Sequence, residues 1–317
     1  MVKNVFFIVG PTAIGKSEIA ADLALELDAE IVSADAFQIY RGLNLLTAKP
    51  VAQTFAKVPH HLIGTMSTLA EMNAEKFRQL ARRVIDEIHL RGKLAIVVGG
   101  SGFYIKALTH GLTSLPAIDP KLRAQLNELS LDQLRVKIAE IDPETAGKID
   151  MKNRRRLVRA IEICLTSGKP ASVQRNEWKS VAGAAGSEWP RSAIVATSGI
   201  FVFRDREDLY QRINRRVDAM FENGVIEEVR AAGAMSATVS QMIGLHEIRG
   251  LLAGKMSILQ CVAAIQQGTR RYAKRQLTWF RRQTNFQPLN LSLLTHTEAV
   301  KWISQRLKAF GVAQGND

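Results

Sequence analysis

Cysteine is almost absent from this chain. Cys164 and Cys261 are the only two in 317 residues, and they lie far apart. Such a pair makes neither a disulfide framework nor a metal-binding spacing, and it points to a reducing compartment. Long apolar runs are missing too. The first, VFFIV at 5–9, has the length of one strand, too short for a signal-peptide core or a membrane span, and no later segment is long enough to cross a bilayer. A soluble, cytoplasmic protein without membrane attachment is expected. No internal repeat, heptad pattern or low-complexity tract appears, which argues against solenoids and long coiled coils. Acidic residues are in deficit: 30 Asp and Glu stand against 43 Lys and Arg, a net charge of +13.

What is present is ordinary globular composition, with 46% hydrophobic and 23% charged residues, and length enough for one large domain or two smaller ones. The positive charge is clustered. KNRRRLVR begins at Lys152, and RRYAKRQLTWFRR at Arg270–Arg282 holds no acidic residue. Clustering favours a nucleic-acid partner over a scattered positive surface kept for solubility. Tyr272, Trp279 and Phe280 among the arginines suit RNA, where base stacking and phosphate contacts combine. The same residues also suit a core helix with a charged outer face.

The first hundred residues alternate between strand and helix patterns. VFFIVG, AEIVSAD and KLAIVVGGSG read as strands, and KSEIAADLALELD and NAEKFRQLARRVIDEIHLRG as helices, the second ending at Gly92. This alternation predicts an α/β fold with a parallel sheet flanked by helices. The pattern changes near GLTSLPAIDP, and a mainly helical insertion is expected over 116–194, with the core formed by 1–115 and 195–317. SVAGAAGSEWP reads as a loop and AIVATSGIFVF as a further strand. A long helix follows, with Asp205 as expected N-cap and Gly224 as C-cap. The last hundred residues read as mostly helical.

Five places carry chemistry. Gly10, Pro11, Thr12, Ala13, Ile14, Gly15, Lys16 and Ser17 fit G-x-x-x-x-G-K-[ST], with a buried strand before and a helix after. Such a loop turns successive amides toward one anion, Lys16 adds a mobile cation, and Ser17 offers a hydroxyl ligand for Mg²⁺. These loops usually bind ATP or another nucleotide, but the motif does not say whose phosphates it holds. Asp35 stands at the carboxyl end of the second strand, where α/β folds place ligands. It reads equally as a general base or metal-side carboxylate and as a turn or cap aspartate. Gly99, Gly100 and Ser101 make a further glycine turn at that edge. Arg212 and Arg216 share one helix face beside an apolar stripe of Leu209, Ile213 and Val217. The basic aromatic segment is the fifth.

Read in order, GPTAIGKS, SADAFQIYRGL, LLTAKP, VPHHLIG, VVGGSGFYIKAL, NRRRLVRAIEI, REDLYQRINRRV, QMIGLHEI and TRRYAKRQLTWFR resemble the tRNA dimethylallyltransferase family of bacterial tRNA isopentenyltransferases over nearly the whole chain. The resemblance implies a P-loop NTPase-like fold. It implies transfer of the five-carbon group of dimethylallyl diphosphate to N6 of the adenosine just 3′ of the anticodon, in tRNAs reading codons that begin with U. The loop would then hold the prenyl diphosphate and not ATP. By the same resemblance Asp35 matches the general base and Ser101 the hydroxyl beside the amine. Lys16, Arg216, the loop amides and Mg²⁺ match the groups stabilising the leaving diphosphate, and Arg212 is a further candidate. The matching tRNA-contacting segments are Asp35, Ala36, Phe37 and Gln38; Ser101; Arg123; Arg155, Arg156, Leu157, Val158 and Arg159; and Gln241, Met242, Ile243, Gly244, Leu245 and His246. The anticodon stem-loop is the expected partner, bound by a monomer.

Three positions depart from that pattern: Ala36 replaces the usual serine, Gly64 the frequent aspartate after HHLI, and Leu245 the common tyrosine. No cysteine–histidine zinc finger follows the core. A P-loop kinase of a nucleoside or small metabolite shares the loop, Mg²⁺ and aspartate, but leaves the basic segments unexplained. A free-nucleotide (adenylate) isopentenyltransferase shares the chemistry without needing a tRNA-sized basic surface. A non-catalytic RNA-binding protein leaves Asp35 and Ser101 idle.

Overall fold

The computed structural model describes residues 5–112, 119–174 and 197–309. In chain order the elements are β1 (Val5–Val9), α1 (Lys16–Glu26), β2 (Ala29–Ser33), α2 (Ala52–Phe55), β3 (His60–His61), α3 (Ala74–Leu90), β4 (Leu94–Gly99) and α4 (Gly102–His110). After these come α5 (Pro120–Glu128), α6 (Leu131–Ile141), α7 (Pro143–Lys148) and α8 (Arg154–Ser167). The chain then continues through β5 (Thr197–Phe203), α9 (Arg206–Glu222), α10 (Val225–Ala231), α11 (Leu245–Leu252), α12 (Ile258–Phe280), β6 (Gln287–Asn290) and α13 (His296–Ala309).

The six strands form one parallel sheet in the order β3-β2-β4-β1-β5-β6. Every residue of β1 is buried, as a central strand covered on both faces requires. The chain leaves β1 toward β2 and leaves β4 toward β5. Because β1 and β4 are neighbours, their two connections diverge and open a crevice at the carboxyl ends. Val9 pairs with Gly99 there, and the Gly10 amide donates to the Gly99 carbonyl at 3.2 Å. Packing on the sheet is helical at the expected spacing: Ala74, Phe77, Ala81, Ile85 and Ile88 bury one stripe of α3, whose first turn is capped by the Asn73 side chain. Gly92 follows that helix at φ 74°.

The chain divides into two compact units, 1–109 with 194–317, and 110–193. The second is helical in its described part. Leu126, Leu134, Ile138, Leu157, Val158, Ile161 and Cys164 form its core. The loop SVAGAAGSEWP and both ends of the expected insertion lie outside the described residues.

Two strands escape the sequence pattern. β3 is two residues long, and β6 contains Pro288, which only an edge strand tolerates. Asp205 occupies the N-cap position of α9 but makes no capping bond. Its carboxylate accepts from the Asn290 side chain instead, because β6 approaches from the other side.

Candidate active site

The crevice is walled by three strand ends. From β1 comes the glycine loop. Gly10 sits at φ 155°, and a Cβ there would lie 2.1 Å from the Val202 carbonyl oxygen of β5, so no side chain fits. Gly15 (φ 91°) begins α1, and Ala13 (φ 66°) also holds the left-handed conformation that L-residues resist. No side chain caps α1, so its first-turn amides face the cavity with the dipole's positive end.

Lys16 is half-buried, with its ammonium turned onto the Pro11 carbonyl. Burial lowers its pKa to about 7, and the nearby Arg216 charge pushes the same way while Asp35 opposes. Burial likewise depresses Arg216. Its Nη2 donates to the Thr12 hydroxyl at 2.8 Å, and its buried Nε has no partner among the described residues. Arg212, one turn earlier on α9, is drawn off: its Nε donates to Asp208 at 2.9 Å. The two arginines share a face, as their spacing predicts, but only Arg216 reaches the loop.

Asp35 takes up the turn reading with one of its two oxygens. Its Oδ1 accepts from the amides of Phe37 (2.9 Å) and Gln38 (3.2 Å), a turn cap. Its Oδ2 takes no hydrogen bond from the described residues and belongs to a side chain that lines the cavities. Across from it, the Ser101 hydroxyl accepts the Ala36 amide at 3.0 Å. The missing serine at 36 therefore leaves the main-chain link intact.

Two cavities meet here. One, of about 650 Å³, is the more polar and is lined by the loop, Lys16, Ser17, Arg212, Arg215 and Gly100. The other, of about 190 Å³, is mainly apolar, with Val217, Met220, Phe221, Met242 and Ile243 in its wall. Thr12, Asp35, Arg216 and Met220 line both. The segment 41–50 forms part of each wall. It is held by Glu228 of α10, whose two carboxylate oxygens accept the Leu45 and Leu46 amides at 2.9 Å each. Lys49 fastens the same segment, donating to Tyr40 O, Gly42 O and Asn44 Oδ1 within 2.9 Å. Gly64 lies against that ammonium at φ 63°, at the position where the family resemblance leads one to expect aspartate. Here main-chain and amide oxygens take that role.

The other predicted contacts separate by burial. Gln241 and His246 are exposed, Ile243 lines the apolar cavity, and Met242, Gly244 and Leu245 are buried. Leu46 fills the space a Cβ on Gly244 would need, 2.7 Å away. In the helical unit Arg155 and Arg156 are exposed, whereas Leu157 and Val158 are buried in its core and offer no side chain to a partner. Arg123 and Arg159 both pair with the buried Glu162. Of the aromatics in the basic segment, Phe280 is buried, and Trp279 packs where a Cβ on Gly102 would lie, 2.5 Å from its ring.

On α12 the sequence pattern missed one residue and gave another a different part. Gln276, 6% exposed, accepts the Thr12 amide at Oε1 and donates from Nε2 to the Gly100 carbonyl, both at 2.9 Å. Tyr272, one turn earlier, lines the apolar cavity. Its phenol lies near the Ser101 and Gln276 side chains, and burial beside Asp35 raises its pKa. In the sequence Tyr272 reads as a base-stacking aromatic of the basic segment, and only an apolar-face position for a glutamine signals Gln276.

Comparison with known proteins follows this geometry. Residues 38–283 match the family described as IPP transferase. The chain is 41% identical over 286 residues to a tRNA dimethylallyltransferase of Citrifermentans bemidjiense, covering 89% of this chain and 90% of that protein. It is also 41% identical over 277 residues to one of Akkermansia muciniphila, covering 87% and 90%. The crystal structure of the full-length tRNA isopentenylpyrophosphate transferase of Bacillus halodurans superposes with a TM-score of 0.68 at 32% identity, covering 97% of this chain and 96% of that one.

Proposed function

The chain belongs to the IPP transferase family, and on that premise we propose that it moves the dimethylallyl group of dimethylallyl diphosphate onto N6 of the adenosine just 3′ of the anticodon in tRNA, releasing diphosphate. The observation that carries this reading is the shared wall of the two cavities. Thr12, Asp35 and Arg216 belong to both, so a carboxylate stands where a phosphate cradle meets an apolar space.

In this reading the polar cavity takes the diphosphate and the apolar one the five-carbon chain and the entering base. An exocyclic adenine amine is a poor nucleophile because its lone pair is delocalised into the ring. As the N6–C1 bond forms, Asp35 Oδ2 accepts the amine proton, while Oδ1 keeps its turn. The Ser101 hydroxyl holds the same amine. The C1–O bond breaks with its electron pair leaving on the diphosphate. Lys16, the uncapped amides of α1 and Arg216 stabilise that charge. The unpartnered Nε of Arg216 is a buried donor awaiting an acceptor, and an anion in the cradle supplies one.

The donor set also fits Mg²⁺. Among the described residues no cluster of three His, Cys, Asp or Glu forms a cage. Mg²⁺ instead favours one or two protein oxygens, here the Ser17 hydroxyl, with phosphate and water completing its shell. Bound there, it would neutralise part of the charge on the leaving group.

The base must leave its stack to reach Asp35, at roughly a few kcal/mol, less in a loop than in a duplex. Phe37, Gln241 and His246 on the core and Arg155 and Arg156 on the helical unit are the side chains offered to the anticodon arm. Among the described residues no helix is long and apolar enough to cross a membrane; we take the enzyme to act in the cytoplasm, as a monomer on one tRNA.

The test is incubation with radiolabelled dimethylallyl diphosphate, Mg²⁺ and either unmodified tRNA or AMP. Label in tRNA is expected. Label in AMP alone reassigns the protein to free-nucleotide prenylation. Phosphorylation of a nucleoside without prenyl transfer refutes the proposal.

A further inference from the structure

Gln276 joins two loops that come from different strands. Its carbonyl holds Thr12, in the phosphate cradle; its amide nitrogen holds Gly100, next to Ser101. The approach is close enough that a Cβ on Gly100 would lie 2.3 Å from Gln276 Nε2 and 2.8 Å from the Gly10 carbonyl oxygen. Thr12 is thereby fixed at both ends: its amide by Gln276 and its hydroxyl by Arg216. Tyr272, one turn earlier on α12, lies near the Ser101 hydroxyl and Gln276. One rigid helix thus touches the group that cradles the leaving diphosphate and the hydroxyl that faces the acceptor amine.

We propose that Gln276 and Tyr272 are positioning residues: α12 fixes the separation between the phosphate loop and the Ser101 turn, so that donor carbon and acceptor nitrogen meet at reacting distance. The inference rests on the prenyl-transfer reading for its chemistry, but the mechanical link it describes is testable without it. Neither residue touches the reacting atoms. Reaction rate depends steeply on such alignment, and a displacement of about 1 Å far from the chemistry costs on the order of 100-fold.

The link is tested with inorganic diphosphate and Mg²⁺ by site-resolved amide hydrogen exchange. In the wild type, binding is expected to protect the phosphate loop and also Gly100–Gly102. In Gln276→Met, which keeps length and packing but loses both hydrogen bonds, loop protection remains and protection of the turn is lost. Persistence of turn protection in that variant overturns the proposal. Single-turnover prenyl transfer in Gln276→Met is expected to fall about 100-fold while diphosphate and tRNA affinities stay within about twofold. A rate loss matched by an equal affinity loss, or no loss, overturns it. Should Gln276→Met melt early, Tyr272→Phe retains the ring and removes only the phenol, and a fall of about tenfold in transfer rate with unchanged affinities is expected. A wild-type protein that transfers no prenyl group would refute the proposed function, and the exchange experiment would still decide the link.

Discussion

Lys16 offers the sharpest quantitative test. In the empty site its pKa is about 7, lowered by burial and by Arg216. A bound diphosphate places several negative charges beside the ammonium and restores its affinity for the proton. The sign is therefore fixed: the complex holds more protons than the free protein, and binding takes protons up. Uptake at Lys16 is about 0.5 proton at pH 7 and about 0.9 at pH 8 for a pKa near 7. Through this group, affinity is at full strength below pH 7 and falls about tenfold per unit above it, until the raised pKa of the complex is reached. From pH 7 to pH 9 this is about 50-fold, or about 2.3 kcal/mol. Diphosphate itself ionises as pH rises and pulls the other way, so the quantity to measure is the difference from Lys16→Ala. Titration calorimetry of inorganic diphosphate with Mg²⁺, run at pH 8 in two buffers of different ionisation enthalpy, gives the protons directly. Equal uptake by the wild type and Lys16→Ala would refute the assignment of this proton to Lys16.

Three further outcomes are expected. Asp35→Asn keeps the Oδ1 acceptor of the turn and loses the base, so transfer should fall by about 10²–10⁴-fold with tRNA binding nearly unchanged; near-normal turnover would exclude Asp35 as the base. Arg216→Ala should slow single-turnover transfer by about 10²–10³-fold, more than it weakens tRNA affinity; an effect confined to tRNA binding would remove it from the diphosphate step. Arg155→Ala, on an exposed side chain of the helical unit, should weaken binding across tRNA sequences and reduce the salt slope of log K by about 1. An unchanged slope would take Arg155 out of the interface.

The sheet is legible where its strands are long and apolar. VFFIV, followed at once by the glycine loop, specifies a central strand and what hangs from its end, and KLAIVVGG does the same for β4. β3 and β6 are invisible because two residues, or four containing a proline, carry no period. The crevice residues Lys16, Asp35 and Ser101 follow from one rule, that ligands gather at strand carboxyl ends. Gln276 and Glu228 do not follow from it. Each is a single polar side chain whose partners are main-chain groups more than 170 positions away, and main-chain partners leave no mark in composition. Charge clustering points to RNA but overstates the free surface. Arg123 and Arg159 are already engaged with Glu162, and Arg212 with Asp208.

The divided carboxylate of Asp35 has a consequence for how this position can change. One oxygen holds the turn, and on the proposed reading the other takes the proton. Asparagine can inherit the first duty and glutamate, one methylene longer, only a displaced version of the second. On that reading, either single substitution disturbs one of the two duties. The same division protects the cycle itself. A proton arriving at Oδ2 leaves the turn's acceptor in place, so the wall beside the acceptor keeps its shape from one turnover to the next.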